Sequence, residues 1–115
     1  MRCRDDECAA AGGCCCRQAH AHHLAFTQKN LAGVTSRERE RAGFDFAVAE
    51  ECQVYSECRA YTSIYGRHVI EIEYDDNGIR AFGRACNLRG DAISVVFRDR
   101  QLRRPSHRQY EYAAC

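Results

Sequence analysis

The chain lacks long apolar runs, a strong net charge and a glycine-rich loop, and each absence excludes a class of protein. No apolar window reaches about 18 residues, so no transmembrane helix and no membrane partner are predicted. Asp5, Asp6 and Glu7 stand where a signal peptide needs an apolar core, so no signal peptide is predicted. The formal net charge is +1, and basic residues cluster only around Arg98–Arg104, which argues against nucleic-acid binding.

The length and composition fit one soluble globular domain built from repeated units. The chain has 115 residues, of which 45% are hydrophobic and 29% are charged. Short apolar runs are predicted strands, at Leu24–Thr27, Phe44–Ala49, Val69–Tyr74 and Ile93–Phe97. Between them lie predicted helices, at Ser36–Arg41, Ser56–Tyr65 and Ile79–Leu88. Ser36 is the predicted N-cap of the first helix, and Gly66 and Gly90 mark the ends of the other two.

Strands that alternate with helices predict a parallel sheet with right-handed crossovers, either doubly wound or part of a barrel. Gln28-Lys29-Asn30 follows the first strand, where a dinucleotide-binding fold would place its glycine-rich loop. The barrel is therefore favoured, and no cofactor is predicted. A complete barrel needs about 250 residues, so we expect an α/β fold of four βα units, a partial (β/α)8 TIM barrel with parallel strands.

The cysteines fall into two groups, and the second predicts disulfides. Cys52, Cys58, Cys86 and Cys115 form an even set in the well-patterned part of the chain. They suit two disulfides in an oxidising compartment, with three possible connectivities. Cys52 and Cys58 are expected to be close in space because they flank a strand-to-helix turn, but whether they bond each other stays open.

The first group of cysteines belongs to residues 1–16, which we interpret as an irregular Cys-rich segment preceding the domain at residues 17–115. Its members are Cys3, Cys8, Cys14, Cys15 and Cys16. A mistaken or truncated start would explain this segment, and residues 17–23 would then be the remnant of a helix before the first strand. Cys14–Cys16 with His20, His22 and His23 match no structural zinc spacing, so no metal site is predicted. A small metal-binding protein is the least favoured alternative.

The second predicted strand carries the strongest functional signal. Phe44–Ala49 is an apolar run broken by one Asp, and it ends abruptly at Glu50 and Glu51. Ligands of parallel α/β sheets bind at the carboxyl ends of the strands. Because consecutive strand residues point to opposite faces, both carboxylates can line one cavity only if the strand has already ended.

Several separated blocks, in order, resemble glycoside hydrolase family 114, the endo-α-1,4-polygalactosaminidase family. Residues 19–25 followed by Gln28-Lys29-Asn30 resemble the family's helix, strand and Lys-Asn ending. Phe44–Cys58 resembles its strand with a Glu near a Cys, followed by Tyr, Glu and Cys. Val69–Tyr74 resembles its next strand, ending in Glu-Tyr, and Cys115 its closing Cys. The resemblance spans roughly residues 17–115 and corresponds to the C-terminal half of the family's barrel.

The resemblance implies a secreted glycoside hydrolase that cuts α-1,4-linked galactosamine-containing polysaccharide. Such enzymes use two carboxyl groups, one as acid and the other as nucleophile or base. Glu50 matches the family's strand-end Glu and is our candidate acid/base. The family's partner Asp lies on an earlier strand that this chain lacks, and the loss of one carboxylate normally costs most of the activity.

Further candidate substrate-binding residues surround the same strand ends, namely Lys29, Asn30, Glu51, Tyr55, Glu73 and Tyr74. Lys29 and Asn30 would orient hydroxyl groups or hold a carboxylate ionised, and Tyr55 and Tyr74 would stack on a sugar ring. Glu71 and Glu73 share one face of the third strand and would face the barrel interior if the apolar face packs on helices.

Each of these residues can also be interpreted as having no function. Residues of surface loops, aromatic residues at the barrel rim and solvent-exposed polar strand faces have the same sequence patterns. The alternative function is accordingly a truncated, non-catalytic remnant that binds carbohydrate or dimerises. Its two outer strands would expose unpaired backbone groups, so a homodimer through the barrel edges is the predicted protein partner.

Overall fold

The structure is a computed structural model that describes residues 13–115, with side chains from residue 15 onward. Cys3, Cys8 and the side chain of Cys14 therefore lie outside the described residues. The helices are α1 (Gly13–Ala21), α2 (Ser36–Ala42), α3 (Cys58–Tyr65) and α4 (Ile79–Arg89). The strands are β1 (Thr27–Lys29), β2 (Phe46–Glu50), β3 (Val69–Tyr74), β4 (Ser94–Arg98) and β5 (Tyr112–Ala114). None of the helices in this range has the length and apolar character needed to cross a membrane.

The five strands form one sheet in the order of the chain, and β1 to β4 run parallel. Val48 pairs with Ile70, and Ile72 pairs with Val96. Helix α3 packs on β2 and β3, and α4 packs on β3 and β4. A doubly wound sheet would reverse its strand order, so the sequential order of these parallel strands is the winding of a barrel. The predicted α/β fold with a partial TIM-barrel arrangement is confirmed.

Strand β5 is an addition that the sequence did not predict. It pairs antiparallel with β4, with Phe97 opposite Ala113. The disulfide between Cys86 at the end of α4 and Cys115 fixes it against the sheet. Its three residues, Tyr112–Ala114, are too short a run to give a pattern.

The core lies between the sheet and α3 and α4. Cys58, Tyr61 and Tyr65 are the buried residues of α3, spaced so that they share one helix face. Ala47 and Ala49 present small, fully buried side chains on the facing side of β2. Small side chains let the helix approach the strand closely. The face of β2 that carries Ala47 and Ala49 is therefore the face that packs against the helices.

The starts of α1 and α3 and the N-cap of α2 differ from the prediction, and α3 begins at Cys58 rather than at Ser56. Helix α1 begins at Gly13, whereas a helix was predicted from residue 17. The N-cap of α2 is Thr35, and Ser36 is the first helical residue. Thr35 and Glu38 form a capping box, in which each side chain accepts a hydrogen bond from the other residue's backbone N–H. The prediction of Ser36 as N-cap is wrong because the Glu of the box stands three residues after Thr35.

The four predicted disulfide cysteines are all bonded. Cys52 bonds to Cys58, and Cys86 bonds to Cys115. The first bond closes the turn between β2 and α3, so the predicted proximity of Cys52 and Cys58 is confirmed. Spacing alone allowed three connectivities, and the fold selects this one because β5 returns to the end of α4.

The two faces of β3 are used in the opposite sense to that predicted. Glu71 and Glu73 are fully buried on the side that faces the helices. Arg89 of α4 donates two hydrogen bonds of 2.8 Å to the carboxylate of Glu71. The backbone N–H of Gln53 donates to Glu73 Oε1 at 2.9 Å. The expectation that Glu71 and Glu73 face the barrel interior is therefore corrected, because the half-buried Arg89 pairs with Glu71 and makes the polar face the packed one.

Candidate active site

A depression of about 470 Å³ lies at the carboxyl ends of β1 and β2. We call it the strand-end depression. It is lined by Asn30, Leu31, Ala32, Glu50, Glu51, Tyr55, Glu57, Tyr61 and Arg100. Another depression of about 470 Å³ lies at the opposite edge of the sheet, among residues such as Arg39 and His68. Barrel enzymes place their sites at the carboxyl ends of the strands, so the strand-end depression is the candidate site.

Glu50 and Glu51 both line this depression because the strand ends between them. Glu50 is the last residue of β2, and Glu51 has a left-handed φ of 60°. The turn breaks the alternation that would have sent the two side chains to opposite faces. A left-handed conformation costs a residue other than glycine roughly 1 kcal/mol, so the turn is held by surrounding contacts, including a hydrogen bond of 2.7 Å from the Glu51 N–H to the carbonyl of Ile72.

Asn30 is positioned by a buried glutamine. It has a left-handed φ of 58°, which asparagine tolerates better than most residues. The side-chain amide of Gln28 donates to the carbonyl oxygens of Asn30 and Leu31, at 2.7 and 2.9 Å. Tyr65 of α3 donates to Gln28 Oε1 at 2.6 Å. The packed face of the sheet therefore fixes the turn that carries Asn30 into the depression.

Glu50 is the centre of the site, and residues from both neighbouring strands hold it. Tyr74, at the end of β3, donates from its phenol oxygen to Oε1 at 2.5 Å. Asn30 Nδ2 donates to Oε2 at 2.7 Å, and Asn30 Oδ1 accepts from the backbone N–H of Glu50 at 2.8 Å. Lys29 Nζ lies 3.1 Å from Oε2. The structure thus brings together four of the residues that the sequence predicts for the site.

These contacts hold Glu50 as a carboxylate. Burial raises the pKa of Glu50, but hydrogen bonds from Tyr74, Asn30 and Lys29 outweigh burial, and its pKa lies below the ordinary value. For the phenol of Tyr74, burial and the hydrogen bond to Glu50 raise the pKa to about 12. Tyr74 therefore remains a protonated donor from the pH at which Glu50 ionises up to about pH 12.

Arg100 is a residue of the site that the sequence interpretation missed. It follows β4 and forms ion pairs with Glu51 and Asp76. Asn77 adds a hydrogen bond of 3.0 Å to Glu51. The sequence contains a signal for this residue, because Arg98-Asp99-Arg100 directly follows the fourth apolar run. Polar residues at the carboxyl ends of neighbouring parallel strands lie close together, and this applies to the fourth strand as well.

The remaining predicted residues divide into two groups. Tyr55 lines the strand-end depression and is 63% exposed, so its ring is accessible. Glu51 also lines it and pairs with Arg100. Glu73 is buried on the helix-facing side and is not among the lining residues, so the structure does not bring it to the site.

No donor set suited to a metal ion occurs among residues 15–115. The side chains of Cys52, Cys58 and Glu71 lie close enough together to share an ion, but the two sulfurs are bonded to each other. Within the N-terminal group of Cys and His residues, for which no metal site was predicted, Cys15 is exposed, and Nε2 of His20 lies 2.7 Å from a carboxylate oxygen of Asp45.

A singly wound parallel sheet with an ionised Glu at its carboxyl edge defines a barrel-type α/β domain whose site lies at the strand ends, as in TIM-barrel enzymes. The chain belongs to glycoside-hydrolase family GH114, because the model of that family matches residues 6–115. This match confirms the resemblance found in the sequence, and it begins within the segment predicted as residues 1–16. No curated protein and no solved structure matched the chain. The protein therefore contains a glycoside hydrolase-like domain.

Proposed function

We propose that the chain acts on α-1,4-linked galactosamine-containing polysaccharide at the strand-end depression, with Glu50 as one of the two carboxyl groups required for hydrolysis. The observation that carries the proposal is the placement of Glu50. It lies at the end of a parallel strand, beside a depression of about 470 Å³, and Tyr74, Asn30 and Lys29 fix its carboxylate. Fixed geometry is what a nucleophile or proton-transfer group needs.

The charge of Glu50 bears on its role within the pair. A general acid must start protonated, whereas a nucleophile or base must start ionised. The lowered pKa of Glu50 supports the nucleophile or base role rather than the acid/base role assigned from the family resemblance. An ionised partner carboxylate nearby would raise the pKa of Glu50 and favour the acid role. In our proposal that partner is the Asp on an earlier strand that the family resemblance implies.

The charge of the depression supports an amino sugar as substrate. Glu50, Glu51 and Glu57 line it together with a single basic residue, Arg100. Glu50 and Glu51 are bound by protein donors, whereas Glu57 is exposed and has no side-chain partner among the described residues. We propose that Glu57 binds the ammonium group of a galactosamine unit and that the exposed ring of Tyr55 stacks on the sugar.

The cysteine bonds support a secreted location. The disulfides Cys52–Cys58 and Cys86–Cys115 require an oxidising compartment to form and persist. They are compatible with an extracellular glycoside hydrolase, and we propose secretion on this ground together with the family.

The second candidate function is carbohydrate binding without hydrolysis. It is favoured by one observation: the carboxyl group with a raised pKa, about 7, is that of Glu73, which faces the helices. The group best suited to protonate a leaving oxygen therefore lies on the wrong side of the sheet. In this case the chain would bind the polymer at the same depression and release nothing.

Homodimerisation remains a proposal attached to either function, but the surface that supports it is a sheet face and not the barrel edges expected from the sequence. Phe46, Val48, Ile70 and Ile72 are only partly buried, on the sheet face opposite α3 and α4. A second copy would cover this face. Sedimentation velocity over a range of concentrations tests it: a dimer that Ile72→Lys converts to monomer supports the pairing, and a monomer at all concentrations contradicts it.

The two functions are separated by one experiment with matched variants. Purified protein, Glu50→Gln and the control Glu40→Gln, which changes an exposed residue of α2, are incubated with galactosamine polymer. Release of oligosaccharides by the protein and the control, but not by Glu50→Gln, supports hydrolysis. Binding without release supports the second function, and neither binding nor release contradicts both.

A further inference from the structure

We propose that Arg100 is a positioning residue of the site: it holds the ring of Tyr74 so that the phenol stays hydrogen-bonded to Glu50. The importance of this device for hydrolysis rests on the proposed function, but the device itself does not.

Arg100 joins the ends of three neighbouring strands. It follows β4, it pairs with Glu51 immediately after β2, and it pairs with Asp76 shortly after β3. Nε and Nη2 donate to the two carboxylate oxygens of Asp76, at 2.9 and 2.8 Å. This is the bidentate geometry that fixes the plane of a guanidinium group. The backbone N–H of Arg100 adds a bond of 3.0 Å to Asp75 Oδ1.

The fixed guanidinium lies over the ring of Tyr74. Its central carbon is 4.2 Å from the ring centroid, within the range of a cation–π contact. Tyr74 is buried, and its phenol oxygen lies 2.5 Å from Glu50 Oε1. Arg100 therefore contacts one face of the ring while Glu50 contacts its hydroxyl, so displacement of the guanidinium would loosen the hydrogen bond at the other end of the ring.

The charges around Glu50 favour this arrangement. Lys29 faces it from the end of β1, and the phenol of Tyr74 faces it from the end of β3. Glu51 and Glu57 line the same depression and carry charges of the same sign as Glu50. Arg100 is the cation that pairs with Glu51. Its loss would remove the support of Tyr74 and leave Glu51 unpaired, and both changes favour protonation of Glu50.

The alternative is that Arg100 has only a structural role and holds the segment after β4 against the sheet. In that case its loss would lower stability without altering Glu50. The titration of the Glu50 carboxyl group separates the two interpretations, because a purely structural contact would not move it.

The test is carbon NMR of protein labelled at the glutamate side-chain carboxyl carbons, titrated with pH. The Glu50 signal is the one lost in Glu50→Gln. The variants are Arg100→Gln, Arg100→Lys and the control Arg104→Gln, which changes an exposed arginine of the same segment. Thermal melting of each variant is recorded alongside. No substrate is needed, so absence of hydrolysis leaves the test intact.

We expect the titration midpoint of Glu50 to rise by about one pH unit in Arg100→Gln, since the variant weakens a charged hydrogen bond. We expect a smaller rise in Arg100→Lys, which keeps the charge but not the planar fork, and no change in Arg104→Gln. An unchanged midpoint in folded Arg100→Gln overturns the proposal. If Arg100→Gln does not fold, an unchanged midpoint in Arg100→Lys overturns it instead.

Discussion

Tyr74 donates a hydrogen bond of 2.5 Å from its phenol to Oε1 of Glu50, and this bond joins the carboxyl ends of β3 and β2. The two residues are 24 positions apart in the chain, and parallel pairing of their strands brings them together. The donor is neutral and buried and the acceptor is charged, a combination that makes a strong hydrogen bond. Tyr74 is therefore one of the donors that set the charge state of Glu50, together with Asn30 and Lys29.

Replacing Tyr74 with Phe removes this donor and should raise the pKa of Glu50. A hydrogen bond to a charged group contributes about 1.5–3 kcal/mol, so the expected rise is about one to two pH units. If the substrate binds the ionised carboxylate, the pH below which binding of a galactosamine oligomer weakens should rise by the same amount. Fluorescence titration at several pH values measures it. Tyr112→Phe, at an exposed tyrosine of β5, is the control, and coincident pH curves for the two variants would contradict the assignment.

Glu73 should make stability fall as pH rises towards neutrality. The pKa of Glu73 is raised from 4.5 to about 7, chiefly by burial and also by its neighbour Glu71, while the Gln53 N–H and Arg89 act in the opposite direction. The stability that protonated Glu73 contributes is complete below pH 4.5, the ordinary value, and is lost as pH rises to about 7. The loss amounts to about 3 kcal/mol.

Urea unfolding at pH 5 and pH 8 measures this loss. Glu73→Gln keeps the shape of the side chain but cannot ionise, so the free energy of unfolding of the variant should change less between the two pH values. Groups that do not interact with Glu73 titrate equally in both proteins and cancel in the comparison. An equal pH dependence of the variant and the parent protein would show that Glu73 does not keep its proton.

The two disulfides should contribute unequally to stability. Cys86 and Cys115 are separated by 29 residues, and Cys52 and Cys58 by 6. Loop-closure entropy then predicts losses of about 3.5 kcal/mol for replacing the first pair by Ser and about 2 kcal/mol for the second. Chemical denaturation of the two double variants checks the order. A larger loss for Cys52 and Cys58 would indicate that their contacts with Glu71, rather than chain entropy, dominate.

The regular part of the fold could be predicted because its signals are local. The apolar run Phe44–Ala49 overlaps β2, which extends to Glu50, and Val69–Tyr74 matches β3, since each run is long enough to show its character. Strand β5 could not be found in this way, because its pairing with β4 depends on a return of the chain that no local pattern encodes.

The faces of β3 show where patterning fails. Glu71 and Glu73 alternate with Ile70 and Ile72, and the apolar residues were expected to face the helices. The structure reverses this choice because Arg89 of α4 neutralises Glu71 within the packed layer. Alternation with a period of two residues identifies the two faces of a strand but not which of them the helices cover. Here the ion pair between Arg89 and Glu71, which are distant in the sequence, determines the covered face.

The site itself was partly predictable by the rule that strand ends converge. Lys29, Asn30, Glu50 and Tyr74 each end a strand or follow one, and they meet. Arg100 obeys the same rule at β4. The left-handed backbone conformation of Glu51 lets its side chain line the same depression as Glu50, and the sequence does not predict this conformation.

The measurement that tests the central claim most directly is the affinity of the protein for a galactosamine tetramer, determined by calorimetry beside the N-acetylated tetramer. We predict binding of the amino form, weaker binding of the acetylated form that lacks the ammonium group, and at least a tenfold loss for Glu50→Gln, about 1.4 kcal/mol, with Glu40→Gln unchanged. Equal affinity of Glu50→Gln and the parent protein for the amino form would contradict the account.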